Sequence, residues 1–264
     1  MMNDKPKKYY AMCSFGKDSL ATILLALQHG EPLDGAIFSE VMYDHSRGIS
    51  GENPKHIRWI NEEAIPKLNS MGVEVIRLRG ERDYLHYFHS TIQDKSRWAG
   101  YKHGYPLSGM CAINRDCKFK PVKAFLREQR KDFDIVEYVG IAIDEPIRLK
   151  RLIGGGKFFQ MSLLAKYKYT EQMAYELCTK FDLLSPIYDD SSRGGCWFCP
   201  NAKLTELVSF RKENPDLWRE LLDLAKTPNL CSDKFNRTGL TLPEIDKKLD
   251  QIEQNERRQL SFDF

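Results

Sequence analysis

Tyr9-Tyr10-Ala11-Met12-Cys13-Ser14-Phe15-Gly16-Lys17-Asp18-Ser19, running on into Leu20-Ala21-Thr22-Ile23-Leu24-Leu25-Ala26-Leu27-Gln28, is the stretch that decides the fold. Tyr9 to Phe15 reads as a short apolar strand. The loop Ser14 to Ser19 follows, and Leu20 to Gln28 is an apolar helix that ends near Gly30. A loop feeding a helix N-terminus exposes unpaired backbone N–H groups and the positive end of the helix dipole. That arrangement binds phosphate. Gly16 lets a backbone approach an anion closely. Ser14 and Ser19 offer hydroxyls, Lys17 a point charge, and Asp18 a carboxylate to hold Mg²⁺ or set the loop. The pattern is neither a Walker A loop nor a dinucleotide fingerprint. An ordinary strand–helix turn with a serine cap is the plainer reading of the same residues.

Outward from this loop the pattern alternates. Asp34 to Val41 and Val73 to Leu78 read as strands, the latter introduced by Gly72. Between them Asn53-Pro54 caps and opens a helix to about Ser70, with a kink expected at Pro66. Helix signals return at Pro121 to Lys131, a strand at Asp134 to Ile143, and a capping box at Thr170-Glu171-Gln172-Met173 opens a helix to Lys180. This order implies an α/β fold, a doubly wound, mainly parallel sheet with right-handed crossovers. Beyond Asn201 the pattern is helical, with starts at Asn214-Pro215 and Leu242-Pro243. The expected organisation is a nucleotide-binding domain over 1–202 and a helical extension over 203–264.

The bulk numbers fit such a protein. With 264 residues, 42% hydrophobic and 29% charged, the chain supports a packed core. No apolar run approaches the ~18 residues of a membrane span, and Met1 to Lys8 is polar and basic, so the expected setting is cytoplasmic, with no membrane partner. A net charge of +3 is too small to argue for nucleic acid by itself.

Four segments together resemble the PP-loop superfamily of ATP pyrophosphatases, and its PAPS-reductase-like branch in particular. Ser14-Phe-Gly-Lys-Asp-Ser19 is similar to the family's SGGKDS loop, with Phe15 in place of one glycine. The others are Glu40-Val-Met-Tyr-Asp-His45 with Gly48-Ile-Ser-Gly-Glu-Asn-Pro54, Gly140-Ile-Ala-Ile-Asp-Glu-Pro-Ile-Arg148, and Gly195-Cys-Trp-Phe-Cys-Pro200. The resemblance covers residues 9 to about 202, and implies an adenine-nucleotide α-hydrolase-like fold that binds ATP with Mg²⁺ and splits it between the α and β phosphates. It makes Lys17, Asp18, Asp144 and Arg148 candidate catalytic residues. Ser14, Phe15, Gly16, Lys17, Asp18, Ser19, Ser39, Glu40, Gly140, Glu145 and Arg151 become candidate nucleotide contacts. Asp44 and Glu52 join Ser39 and Glu40 as candidates, because the end of a second strand abuts the phosphate loop in such sheets. Arg148, Lys150 and Arg151 also fit a plain solvated helix face, and Gly154-Gly155-Gly156 a flexible turn. A PAPS reductase proper carries a cysteine in a C-terminal Glu-Cys-Gly-Leu-His type motif; this chain ends Arg257-Arg-Gln-Leu-Ser-Phe-Asp-Phe264 and lacks it. The activity the resemblance implies first is that of an adenylyltransferase or sulfurtransferase, which adenylylates an acceptor, a nucleic acid among the candidates, and readies it for substitution by sulfur; reduction of a PAPS or APS sulfonucleotide is the alternative activity, and a non-catalytic nucleotide- or nucleic-acid-binding module the third.

Of seven cysteines, Cys196 and Cys199 have the C-x-x-C spacing that lets two thiolates share one metal, and Cys111 and Cys117 form a wider pair. Four such thiolates suit Zn²⁺ or a [4Fe–4S] cluster; a redox pair is the remaining option. Cys13, Cys178 and Cys231 read as small buried hydrophobes.

Residues 77–131 interleave Arg77, Arg79, Arg82, Lys95, Arg97 and Lys102 with Tyr84, Tyr87, Phe88, Trp98, Tyr101 and Tyr105, and add Arg115, Lys118, Lys120, Lys123, Arg127, Arg130 and Lys131. Cations among aromatic platforms suit unstacked nucleic acid; the competing reading puts Tyr84, Phe88 and Trp98 in the core. The tail Gln259-Leu-Ser-Phe-Asp-Phe264 resembles a short peptide that docks on bacterial sliding clamps.

Overall fold

The computed structural model of the chain describes residues 5–106, 109, 111–153, 159–189, 191, 194–235 and 238–262. In chain order the elements are β1 (Lys7–Cys13), α1 (Lys17–Gln28), β2 (Gly35–Glu40), β3 (Met42–Asp44), β4 (Ile49–Ser50), α2 (Pro54–Trp59), α3 (Ile65–Ser70), β5 (Val75–Arg79), α4 (Tyr84–His89), α5 (Lys120–Gln129), β6 (Asp134–Val139), α6 (Pro146–Ile153), β7 (Phe159–Met161), α7 (Leu163–Lys166), α8 (Glu171–Lys180), α9 (Leu204–Glu213), α10 (Pro215–Leu224) and α11 (Leu242–Phe262). The three-glycine turn at 154–156, residues 263–264 and the side chains of 259–262 in the tail lie outside the described residues. Among the described residues no helix is long and apolar enough to cross a membrane.

The chain divides into two compact units, each assembled from several stretches: 1–40, 52–80 and 117–194 in the first, 41–51, 81–116 and 195–264 in the second. The helical stretch expected over 203–264 belongs to the second.

The first unit is an α/β fold around a five-stranded sheet of order β5-β2-β1-β6-β7, with every pairing parallel. Alternation along the strands sends side chains to two faces. Ala11, Cys13, Ala36, Phe38, Val136 and Tyr138 pack with Leu20, Ile23 and Leu24 of α1 and Leu177 of α8. Tyr10, Ile37 and Ile135 face Leu126 of α5 on the other side. Helix α1 is buried from Ser19 to Ala26, so its apolar residues contribute roughly 2 kcal/mol each over exposure. The doubly wound pattern follows: β1 is central, flanked by β2 and β6, and the order reverses between β1 and β6. The helix expected over 54–70 is there, capped by Asn53, whose side chain accepts the Lys55 N–H. Its middle, Ile60–Ala64, is a π turn instead of a simple kink. Pro66 has no N–H to return to the preceding turn, and the wider turn absorbs that loss.

The second unit holds the β3–β4 hairpin, α4 and α9 to α11. Its core is aromatic. Tyr43, Tyr84, Phe88, Tyr105, Trp197, Phe198 and Phe235 are all buried, and Tyr84 and Phe198 lie with ring centroids 4.0 Å apart. Tyr84, Phe88 and Tyr105, read from the sequence as platforms, are therefore core side chains here. Tyr84 and Phe88 sit four residues apart on one helical face.

Candidate nucleotide site

Strand β1 stops at Cys13, and the next residues turn sharply into α1. Phe15 has a φ of 57°, a left-handed backbone that costs a non-glycine residue about 1 kcal/mol. Its ring is fully buried and meets Phe38 edge-on at 5.0 Å. The backbone takes a glycine-like conformation, and burial of the ring offsets the strain. The Phe15 N–H is turned onto the Cys13 sulfur at 3.4 Å. The loop is then knotted by Ser19, whose hydroxyl donates to the Gly16 carbonyl (2.8 Å) and accepts the Ser14 N–H (3.2 Å). Ser14 is the exposed member of the loop.

Gly140, just past β6, presses against this loop. A Cβ there would lie 2.7 Å from the Asp18 carbonyl carbon and 2.8 Å from the Ser19 nitrogen. The loops after β1 and β6 thus touch backbone to backbone at the reversal of strand order, where doubly wound sheets bind ligands.

Lys17 carries two donors, and the chain itself engages both. Its backbone N–H donates to the Tyr188 hydroxyl at 2.8 Å. Its ammonium bonds Asp18 and Glu171, each at 2.8 Å. Burial pulls the Lys17 pKa down, but the two carboxylates outweigh it and hold it above the ordinary value. Burial pushes the Asp18 carboxyl up; Lys17 opposes this, while Glu171 and Glu145 push it further. Asp144 accepts the Glu171 N–H at 3.2 Å, and so caps the start of α8. Glu145 accepts the Ala142 N–H at 3.1 Å and pairs with Arg148. Arg151 is exposed on α6.

At the end of β2, Ser39 donates to the Lys118 carbonyl at 2.9 Å. Glu40, only 2% exposed, takes two nitrogens of Arg79, each at 2.8 Å. Glu52 is buried. Desolvation raises its pKa, Lys118 lowers it and Glu40 raises it again. Ser39, Glu40 and Glu52 thus form a polar group of their own at the ends of β2 and β5, with Arg77 3.8 Å from Glu40. Asp44 is separate, in the second unit, where it pairs with Arg47 and accepts the Ser46 N–H.

Three residues near the loop escaped the sequence reading. Tyr188 and Glu171 are 171 and 154 residues from Lys17, so no local pattern announces them. His56 is fully buried, 2.7 Å from the Ser185 hydroxyl and 3.5 Å from the Ser14 carbonyl. Burial lowers its pKa to about 4, so it is neutral at ordinary pH. The available signal was its place two residues after the Asn53-Pro54 start, on the first turn of α2.

Cys13 and Cys178 lie beside the loop, the latter donating to the Lys17 carbonyl at 3.2 Å. Burial pushes their thiols up to about 11 and about 12, so both stay protonated and unreactive. Cys117 is buried in the first unit; Cys111, Cys196 and Cys199 belong to the second. The Cys199 N–H closes a tight turn onto the Cys196 carbonyl at 3.0 Å. Burial and the neighbouring Cys199 both raise the Cys111 thiol, so one cysteine from each sequence pair shares this neighbourhood. Tyr84 Oη is buried there without a hydrogen-bond partner among the described residues, and Cys111 is among the groups that raise its pKa. Among the described residues no three His, Cys, Asp or Glu side chains converge as a ready metal cage.

No family model matches the chain, and no curated protein matches it either.

Proposed function

We propose that the first unit binds ATP at Ser14–Ser19 and transfers its adenylyl group to an acceptor, releasing pyrophosphate. The observation that carries this reading is the loop itself. It is a constrained strand–loop–helix junction at the strand-order reversal of a parallel sheet, pinned by Gly140 and resembling the PP-loop. An acceptor oxygen attacks the α-phosphorus, the bond from that phosphorus to the bridging oxygen breaks, and pyrophosphate leaves with the electron pair. The acceptor's proton passes to solvent. Catalysis of this kind is mostly positioning and charge neutralisation. Lys17 supplies charge once the phosphates compete for its ammonium, and Arg148 and Arg151 supply more from α6. Ser14 gives a hydroxyl, and His56 holds the loop carbonyl behind it.

Mg²⁺ bound with a nucleotide needs only one or two protein carboxylates. Asp18 and Glu145 fit that role, since the charges crowding Asp18 welcome a cation. With Mg²⁺ bound, part of the phosphate charge is neutralised. Zn²⁺ or an iron–sulfur cluster on Cys111, Cys117, Cys196 and Cys199 is proposed on the sequence spacing of these cysteines alone. Metal and sulfide analysis of anaerobically purified protein decides it.

The activity test is pyrophosphate release from ATP, with Lys17→Ala as control. Sulfite release from a sulfonucleotide with a thiol donor, and none of pyrophosphate from ATP, would replace this reading with the reductase alternative. ATP binding without turnover on any acceptor would leave a nucleotide-binding module.

A further inference from the structure

The second unit carries a surface loop with no counterpart in the nucleotide chemistry. Residues 91–102 are closed at their base by an antiparallel bridge between Thr91 and Lys102. Lys102 is tied down in turn: its N–H donates to the Asn229 carbonyl and its carbonyl accepts the Cys231 N–H, both at 2.8 Å. Inside the loop, backbone hydrogen bonds tie its two arms together and close its tip. Ile92 N–H reaches Tyr101 O, Gly100 N–H reaches Ile92 O, Ala99 N–H reaches Ser96 O and Tyr101 N–H reaches Trp98 O, at 2.8 to 3.0 Å. Asp94 accepts the Ser96 N–H, and the Ser96 hydroxyl accepts the Trp98 N–H. Gly100, at φ 85°, makes the turn that permits this.

So ordered a loop ordinarily covers a core, and this one covers little. Lys95, Arg97 and Tyr101 are exposed, and Trp98 is half-buried. The Arg97 guanidinium lies 4.9 Å from the Trp98 ring, and Tyr101, 40% exposed, stands edge-on to that ring at 5.5 Å. Three cations stand against one carboxylate, and that carboxylate, Asp94, is engaged as a turn cap. Two aromatic rings held on a rigid, cationic loop match what unpaired bases need: flat apolar faces to stack on, and positive charge for the phosphates between them.

We infer that the 91–102 loop is a binding surface for an unpaired nucleic acid strand, with Trp98 and Tyr101 as stacking platforms and Lys95 and Arg97 as phosphate contacts. A protein partner would use the same rings but would not require the cations, and salt separates the two. The inference stands apart from the ATP reading, because the binding needs no nucleotide.

The test is fluorescence anisotropy of the full chain with labelled oligo-deoxythymidine, oligouridine and a duplex, over a salt series and without ATP. Both single strands bind more tightly than duplex. Trp98→Ala and Tyr101→Ala each weaken binding about tenfold, while Trp98→Phe keeps most of it. Arg97→Gln lowers the salt slope by about one. Melting temperatures of these surface variants stay at the wild-type value. Absence of oligonucleotide affinity, preference for duplex, salt-insensitive binding, or unchanged affinity in both alanine variants would each overturn the assignment. ATP turnover in the Trp98→Ala variant, measured without an oligonucleotide, stays at the wild-type level, so loss of the one reading is told apart from loss of the other.

Discussion

Two loops of this chain are built to opposite rules. Ser14–Ser19, in the first unit, turns its groups inward. The Phe15 ring is in the core, Ser19 knots the backbone, and both donors of Lys17 are engaged by Tyr188, Asp18 and Glu171. The 91–102 loop, in the second unit, is also held by backbone hydrogen bonds but leaves Lys95, Arg97 and Tyr101 exposed and Trp98 half-buried. A site for a small, highly charged ligand gains from groups already oriented and partly desolvated, which the ligand then captures by exchange. A surface for a polymer gains from flat side chains left open on a rigid base. Both loops are held by hydrogen bonds; what differs is where the side chains point.

The largest effect that would break this contrast is at Gly140. Alanine there drives a Cβ into the Asp18–Ser19 backbone, and the fold loses on the order of 3 kcal/mol. Urea denaturation measures it, and a cost under ~0.5 kcal/mol would mean the two loops do not press together as described. Next is His56. Its folded pKa, about 4, lies below the unfolded value, so the neutral buried ring favours folding above pH ~6.5 and that contribution drains away as pH falls toward 4. Between pH 7 and 4.5 the wild type loses about 2.5 kcal/mol more than His56→Gln; parallel pH profiles for the two proteins would contradict the burial argument. The stacking variants of the exposed loop follow, at about tenfold in oligonucleotide affinity each. The smallest effect sharpens the picture of the inward loop. Glu171→Gln releases one of the two carboxylates on the Lys17 ammonium and tightens ATP binding about threefold, read by isothermal titration; weaker binding would make Glu171 a contact of the nucleotide instead of its competitor.

Much of the first unit was legible in the residues because its signals are local. Apolar strands, the Asn53-Pro54 and Thr170 caps and the glycine after α1 fix the elements within a few positions, and their alternation implies the parallel sheet. Short elements were not legible. The hairpin of β3 and β4 and the edge strand β7 have two or three residues each, too few for any period to show. Phe159, 75% exposed on β7, carries no inward-facing pattern at all. Tyr84 and Phe88, four residues apart behind Asp83, whose side chain caps α4, fit the sequence equally as core or as platforms among arginines, and the fold buries them. Tyr188 and Glu171 reach the Ser14–Ser19 loop only through the fold, and a side chain that acts across more than a hundred residues leaves no mark in its own neighbourhood.

The most direct test of the central claim is pyrophosphate release from ATP and Mg²⁺ by the anaerobically purified full chain, with and without single-stranded oligonucleotide, beside Lys17→Ala. The account predicts pyrophosphate and an adenylylated acceptor, with the rate falling about a hundredfold in Lys17→Ala, on the order of 2.7 kcal/mol of transition-state stabilisation. Equal rates in the two proteins, or release of ADP and phosphate instead of pyrophosphate, would contradict it.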